Sequence, residues 1–181
     1  LFRLAREKKL GDPTTLAAQV ERMLNDEKSM RFIRDFLGQW LGLHEIDATT
    51  PDDKLYPEYD DVLRQAMLRE TELFFRELVV ENLPVRNLID SEFSFLNRRL
   101  AEHYGITGVR GEQFRKVALP KDGVRGGLLT QASVLKVTAN GTVTSPVKRG
   151  AFVLTKLLGQ TPSPPPPDIG SIEPDTRGTT T

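Results

Sequence analysis

The densest set of side chains able to do chemistry lies between Arg125 and Arg149. Arg125-Gly126-Gly127-Leu128-Leu129-Thr130-Gln131 is followed by Thr144-Ser145-Pro146-Val147-Lys148-Arg149-Gly150. Arg125 precedes an expected helix start. Ser145 and Pro146 read as the N-cap and first position of another helix, which puts Lys148 and Arg149 in its first turn. Cations there oppose the helix dipole. Either backbone N–H groups and basic side chains hold an anion there, or one cation pairs with a carboxylate from another helix and fixes packing. His103, followed by Tyr104 and Gly105, adds an imidazole that titrates near neutral pH. It falls in an expected last helical turn, where a cation meets the dipole favourably. Arg125, Lys148, Arg149 and His103 are therefore the candidate anion- or partner-binding set, with a structural role for His103 as the alternative. No residue is assigned to catalysis.

Several chemistries are disfavoured. The chain has no Cys and two histidines, His44 and His103. That removes disulfides, thiolate nucleophiles and covalent haem attachment. It also argues against a closed zinc site, which generally takes four Cys or His ligands. The expectation is no metal and no cofactor in these residues. No Gly-x-Ser-x-Gly elbow is present. Glu45, Asp47, Asp52 and Asp53 crowd one loop, but their spacing fits no EF-hand. Gly126-Gly127 matches neither nucleotide-binding glycine pattern. No carboxylate pair stands out for glycoside hydrolysis. With 25 basic and 25 acidic residues the chain is neutral, which argues against nucleic acid as a partner. No apolar run reaches the roughly 20 residues of a membrane span.

The elements that must position these groups read mostly as helices. Leu1–Leu10 forms a short one ended by Gly11. Asp12-Pro13 starts a second, with Leu16, Val20, Met23 and Leu24 at helical spacing. After a break near Asn25-Asp26 comes a stripe of Met30, Ile33, Phe36, Leu37, Trp40 and Leu41, expected in the core, and then Gly42. Pro57 opens the longest helix, to about Glu81. Val62, Ala66, Leu73, Phe74 and Val80 point inward there, and Arg69 and Arg76 interleave with Glu70, Glu72 and Glu77 as a solvated lattice. A short helix is expected over 85–88. A further helix carries Phe93, Phe95, Leu96 and Leu100 to Gly105, a left-handed stop. Residues 114–119 alternate like one strand of a hairpin. Residues 126–135 read as helix, and a turn or hairpin centres on Asn140-Gly141. The final helix presents Val147, Ala151, Leu154 and Leu158 and stops at Gly159. From Pro162 the chain turns proline-rich and extended. The fold class is mostly α: a helical bundle, with the option of a small β-hairpin, and an extended Pro-rich C-terminal tail. The division expected is a helical domain over 1–112, a second small helical domain over 113–161 packed on it, and a linker or tail over 162–181.

The motifs at 125–131 and 144–150, with the run Pro164-Pro165-Pro166-Pro167, resemble a domain of very large exported proteins of Planctomycetes and related bacteria. Phe36-Leu37-Gly38-Gln39-Trp40-Leu41 and Phe95-Leu96-Asn97-Arg98-Arg99-Leu100-Ala101-Glu102-His103-Tyr104-Gly105-Ile106 resemble the neighbouring domain of the same proteins. Both are PSD-type domains of unknown function that accompany c-type cytochrome domains. In that family a Cys-x-x-Cys-His haem motif usually follows the proline run. The resemblance implies a helical scaffold or docking module in an exported, cytochrome-associated protein. Haem c is expected downstream, and the haem domain is the partner. It also implies a periplasmic or extracellular location, and a polysaccharide or redox partner comes into view. Part of a haem-dependent redox enzyme acting on carbohydrate or another polymer is one alternative. An anion- or carbohydrate-binding module is the other.

Overall fold

The structure is a computed structural model that describes residues 1–120 and 122–163. Its seven α-helices are α1 Phe2–Arg6, α2 Pro13–Leu24, α3 Ser29–Trp40, α4 Asp61–Val80, α5 Arg98–Tyr104, α6 Ala132–Val137 and α7 Pro146–Phe152. The strands β1 Phe93–Leu96 and β2 Arg115–Ala118 pair antiparallel, with Phe93 opposite Ala118 and Leu96 opposite Arg115. The fold is thus mostly helical with one small sheet. The tail expected from Pro162 lies outside the described residues beyond Ser163. No helix among the described residues is long and apolar enough to cross a membrane.

Helix α4 is the axis of the fold. Asp60 Oδ1 accepts from the Leu63 backbone N–H at 2.6 Å and caps it, so the helix begins at Asp61 rather than at Pro57. Leu63, Ala66, Met67, Glu70, Thr71, Phe74 and Leu78 are buried along it. That spacing of three and four makes one inward stripe. Two clusters form against it. One joins Phe74 to Ile33, Leu37 and Leu41, and to Leu128 and Val134 from the C-terminal third. The other joins Leu63 and Met67 to Leu96, Leu100 and Ala132.

Several expectations need correction. Glu70 is no part of a solvated lattice: it sits on the inward stripe and is 1% exposed. Glu72 is also buried, held by Arg34 and Arg69. Val62, expected inside, is 61% exposed, because the inward arc is centred on Leu63 and Ala66. Phe36 is 38% exposed, and Trp40 is only half-buried. Ile33 and Leu37 take the centre of the α3 contact, so Phe36 and Trp40 fall at its edge. There Phe36 stacks on Phe32 and Phe75, at centroid distances of 5.8 and 5.5 Å. Trp40 Nε1 donates to the Lys156 carbonyl at 2.6 Å.

Phe93–Leu96, read as helix, is a strand: Ser94 and Leu96 face inward in period two. Its helix starts only at Asn97, whose Oδ1 accepts from Leu100 N–H at 2.9 Å. The expected helix over 126–135 is split into a 3₁₀ turn, Leu128–Thr130, and α6, with Gln131 extended between them. Gly127 explains the split. Its φ is +69°, and a Cβ there would lie 2.6 Å from the Leu88 and Ile89 carbonyl oxygens. Around Asn140-Gly141 there is a single bridge, Ala139 to Thr144, closed by Asn140 Oδ1 accepting from the Thr142 and Val143 N–H groups. Val147, placed on the apolar face of the last helix, is 80% exposed. Helix α7 is a short segment continued by a π turn over Val153–Leu157.

This packing separates two phenylalanines. Phe74→Ala removes a fully buried ring and is expected to cost about 3–5 kcal/mol, whereas Phe36→Ala loses edge packing of about 1 kcal/mol. Urea unfolding of both variants checks this; equal losses would overturn the core assignment.

Candidate functional site

A cavity of about 340 Å³ opens beside α4 and α5. Leu63 and Met67 of α4 and Ala132 and Leu135 of α6 give it apolar walls. The last turn of α5 delivers His103 and Tyr104, ended by Gly105 in the left-handed conformation. Tyr56, Glu58 and Tyr59 come from the turn before α4. Arg125 and Arg149 come from the C-terminal third.

Tyr104 divides the cavity from the dry interior. Its ring lines the cavity, and its hydroxyl points inward. The hydroxyl donates to Glu70 Oε2 and accepts from the Ala132 backbone N–H at 2.8 Å. Ser94 Oγ donates to Glu70 Oε1 at 2.6 Å. The extended Gln131 exposes the Ala132 N–H for this bond, so the split of the expected helix serves the network. Burial drives the Glu70 carboxyl up to about 7; the Ser94 and Tyr104 hydrogen bonds and the Arg125 charge oppose that rise. Burial, helped by the nearby Glu70 carboxylate, raises the Tyr104 phenol well above its ordinary value.

The Arg125 guanidinium lies 3.6 Å from the Tyr104 ring centroid, a cation–π stack, and its Nη1 donates to the Thr130 carbonyl at 2.7 Å. His103 is half-buried. Burial lowers its basicity first, and the Arg125 and Arg99 charges act in the same direction against Glu58. Lys136 Nζ is committed to the Ile46 and Thr49 carbonyls and the Thr49 hydroxyl. Arg149 Nη2 donates to Thr144 Oγ1 at 2.6 Å, while its Nε is buried with no hydrogen-bond partner among the described residues.

Of the four residues singled out in the sequence, His103, Arg125 and Arg149 line this cavity; Lys148 is exposed and does not. The helix terminus forms as expected, with Ser145 as N-cap and Pro146 at the first helical position. Ser145 Oγ takes the Lys148 N–H at 3.2 Å, and the Ser145 carbonyl takes that of Arg149 at 3.0 Å. Arg149 reaches the cavity through its side chain. Among the described residues no carboxylate makes an ion pair with Arg125, Lys148 or Arg149. Sequence reading missed Glu70, Tyr104, Tyr59 and Lys136. A signal for Glu70 existed: it lies seven residues after Leu63 and four before Phe74, on the apolar stripe. Among the described residues no group of three or more His, Asp or Glu could hold a metal ion.

Residues 1–106 match the family model PSD4, described as a protein of unknown function (DUF1592). Residues 125–181 match PSCyt3, described as a protein of unknown function (DUF1588). No curated protein and no solved structure matches the chain.

The Glu70 environment predicts a pH signature. Between the ordinary 4.5 and about 7 the folded chain holds a proton that the unfolded chain releases. The stability it contributes is full below that window and is lost as pH rises through it, on the order of 3 kcal/mol. His103 works in the opposite sense: its basicity is lowered from 6.5, so its contribution is lost as pH falls. Comparison with Glu70→Gln isolates the carboxyl. Between about pH 5 and about pH 8 the wild type is expected to lose urea resistance relative to Glu70→Gln. Parallel profiles would show that Glu70 ionises normally.

Proposed function

Because the chain belongs to the PSD4 family of proteins of unknown function and continues into a PSCyt3 segment, we propose that it is a non-catalytic helical scaffold that positions a cytochrome-type partner domain. The observation that carries this reading is the shared core. Leu128 and Val134 of the PSCyt3 segment are buried in one cluster with Ile33, Leu37 and Phe74 of the PSD4 segment. Side chains so packed transmit position with little play. The C-terminal end of the described chain is tied to the same body through the Trp40–Lys156 hydrogen bond. A haem c domain downstream, exported with this module to the periplasm or beyond the cell, is the partner the reading takes. The sequence run Pro164–Pro167, which lies outside the described residues, is taken as its spacer.

The rival reading, part of a haem-dependent redox enzyme, draws support from a buried carboxyl of raised pKa next to a cavity, a common feature of catalytic sites. The two readings separate in the whole protein that carries the haem. Reoxidation and substrate-linked reduction of that haem are measured in wild type, Glu70→Gln and His103→Ala. The scaffold reading expects unchanged rates in both variants. A loss of a hundredfold or more in either, with the fold and haem content intact, would make this chain part of the active site.

A further inference from the structure

The cavity beside Tyr104 carries an inference that does not rest on the scaffold reading. We infer that it is a binding site for a small organic monocarboxylate with an apolar, ring-sized body. Two arginines line it with guanidinium donors that the protein does not use. Arg125 spends Nη1 on Thr130 and holds its guanidinium over the Tyr104 ring; its remaining N–H groups have no protein acceptor among the described residues. Arg149 spends Nη2 on Thr144 and keeps a buried Nε–H with no acceptor. A buried donor left unpaired is costly, and an arginine fork is shaped for the two oxygens of a carboxylate. Both guanidiniums are also free of any ion pair with the described carboxylates, so a bound anion displaces no internal partner.

The acids nearby favour a ligand of one negative charge over one of two. Glu58 lines the same cavity, and Glu70 lies directly behind Tyr104. A second charge on the ligand would meet one or both of these. Lys136 adds its charge to the cavity, but its N–H groups are spent on the Ile46 and Thr49 carbonyls and the Thr49 hydroxyl, so it offers the ligand no free donor.

The walls set the rest of the class. Leu63, Met67, Ala132 and Leu135 present no polar side-chain atom, and the Tyr104 ring adds aromatic carbon to the lining. A sugar acid would set hydroxyls against these four apolar walls, at a desolvation cost, with only lining groups such as Glu58 and Tyr59 to pair with them. An aryl or alicyclic body buries carbon against carbon. The volume of about 340 Å³ sits at the small end of the roughly 300–1,000 Å³ range of small-molecule sites.

The test titrates the chain with 2-naphthoate, followed by the fluorescence of the probe. The comparison ligands are 2-naphthamide (same body, no charge), galacturonate (same charge, polar body) and inorganic phosphate. Saturable one-to-one binding of 2-naphthoate is expected, at least tenfold tighter than each of the three. Arg149→Met is expected to weaken it at least tenfold, and Arg149→Lys, which keeps the charge but loses the fork, by a smaller factor. Thermal unfolding of both variants establishes that they fold. Should they not, Val143→Trp, which narrows the mouth at an exposed lining position, takes their place and is expected to abolish binding. Equal affinity for the amide would overturn the role of charge. Equal or tighter binding of galacturonate or phosphate would overturn the apolar class. Absence of saturable binding, or unchanged affinity in the folded variants, would overturn the site itself.

Discussion

A carboxyl group sealed from water constrains this fold more than any other single feature. Glu70 sits on the axis of α4 with no access to solvent, where an unsatisfied charge or acid would be costly. Its two oxygens are met by Ser94 of β1 and Tyr104 of α5, and the Tyr104 hydroxyl in turn takes the first N–H of α6. Four elements distant in sequence are thereby held to one point. The apolar clusters on either side supply most of the driving force for burial, but they tolerate shifts that hydrogen-bond geometry does not. A displacement of α5 or α6 would leave Glu70 or Tyr104 unpaired, so the polar network fixes the register in which the apolar surfaces meet.

The C-terminal third reaches this point by a strained route. Gly127 passes so close to the Leu88 and Ile89 carbonyls that any side chain would collide, and its φ is positive. Gly141 makes a similar approach to the Thr50 carbonyl, with φ +94° and 2.6 Å to a hypothetical Cβ. These two glycines clamp the stretch that carries α6 onto the loops on either side of α4. Arg125 just before Gly127, and Thr144 with Arg149 beyond Gly141, are then set at the cavity.

Much of this was legible in the sequence. Asp12 before Pro13 and Ser145 before Pro146 are caps whose side chains accept the expected N–H bonds. Gly42, Gly105 and Gly159 end helical stretches in the left-handed conformation. Such features are local: the residue carries its own reason. What failed was non-local. The sequence around Phe93–Leu96 allows a helix, and only pairing with β2, some twenty residues on, makes it a strand. Phe36 and Trp40 belong to an apolar stripe, but the partner surface is narrower than the stripe. Glu70 looks like its charged neighbours Arg69 and Glu72; its burial follows from the stripe it shares with Leu63 and Phe74, and its partners lie 24 and 34 residues away. The basic cluster stood out by composition and by its helix cap, which forms as read, but the cavity that Arg125 and Arg149 line was not legible there.

The cavity and the sealed acid are joined by Arg125. Its charge lies against the Tyr104 ring and is felt by Glu70, which the Tyr104 hydroxyl holds. If Glu70 were fully ionised, it would cancel part of that charge and weaken the pull on an anion in the cavity. Burial raises the carboxyl to about 7, so near neutral pH it is ionised only in part, and less so on the acid side. The arginine's field is then left to the cavity. His103 gains charge as pH falls and adds to the same side of the balance. The positive potential of the cavity is thus set from behind, by a residue that never touches its contents.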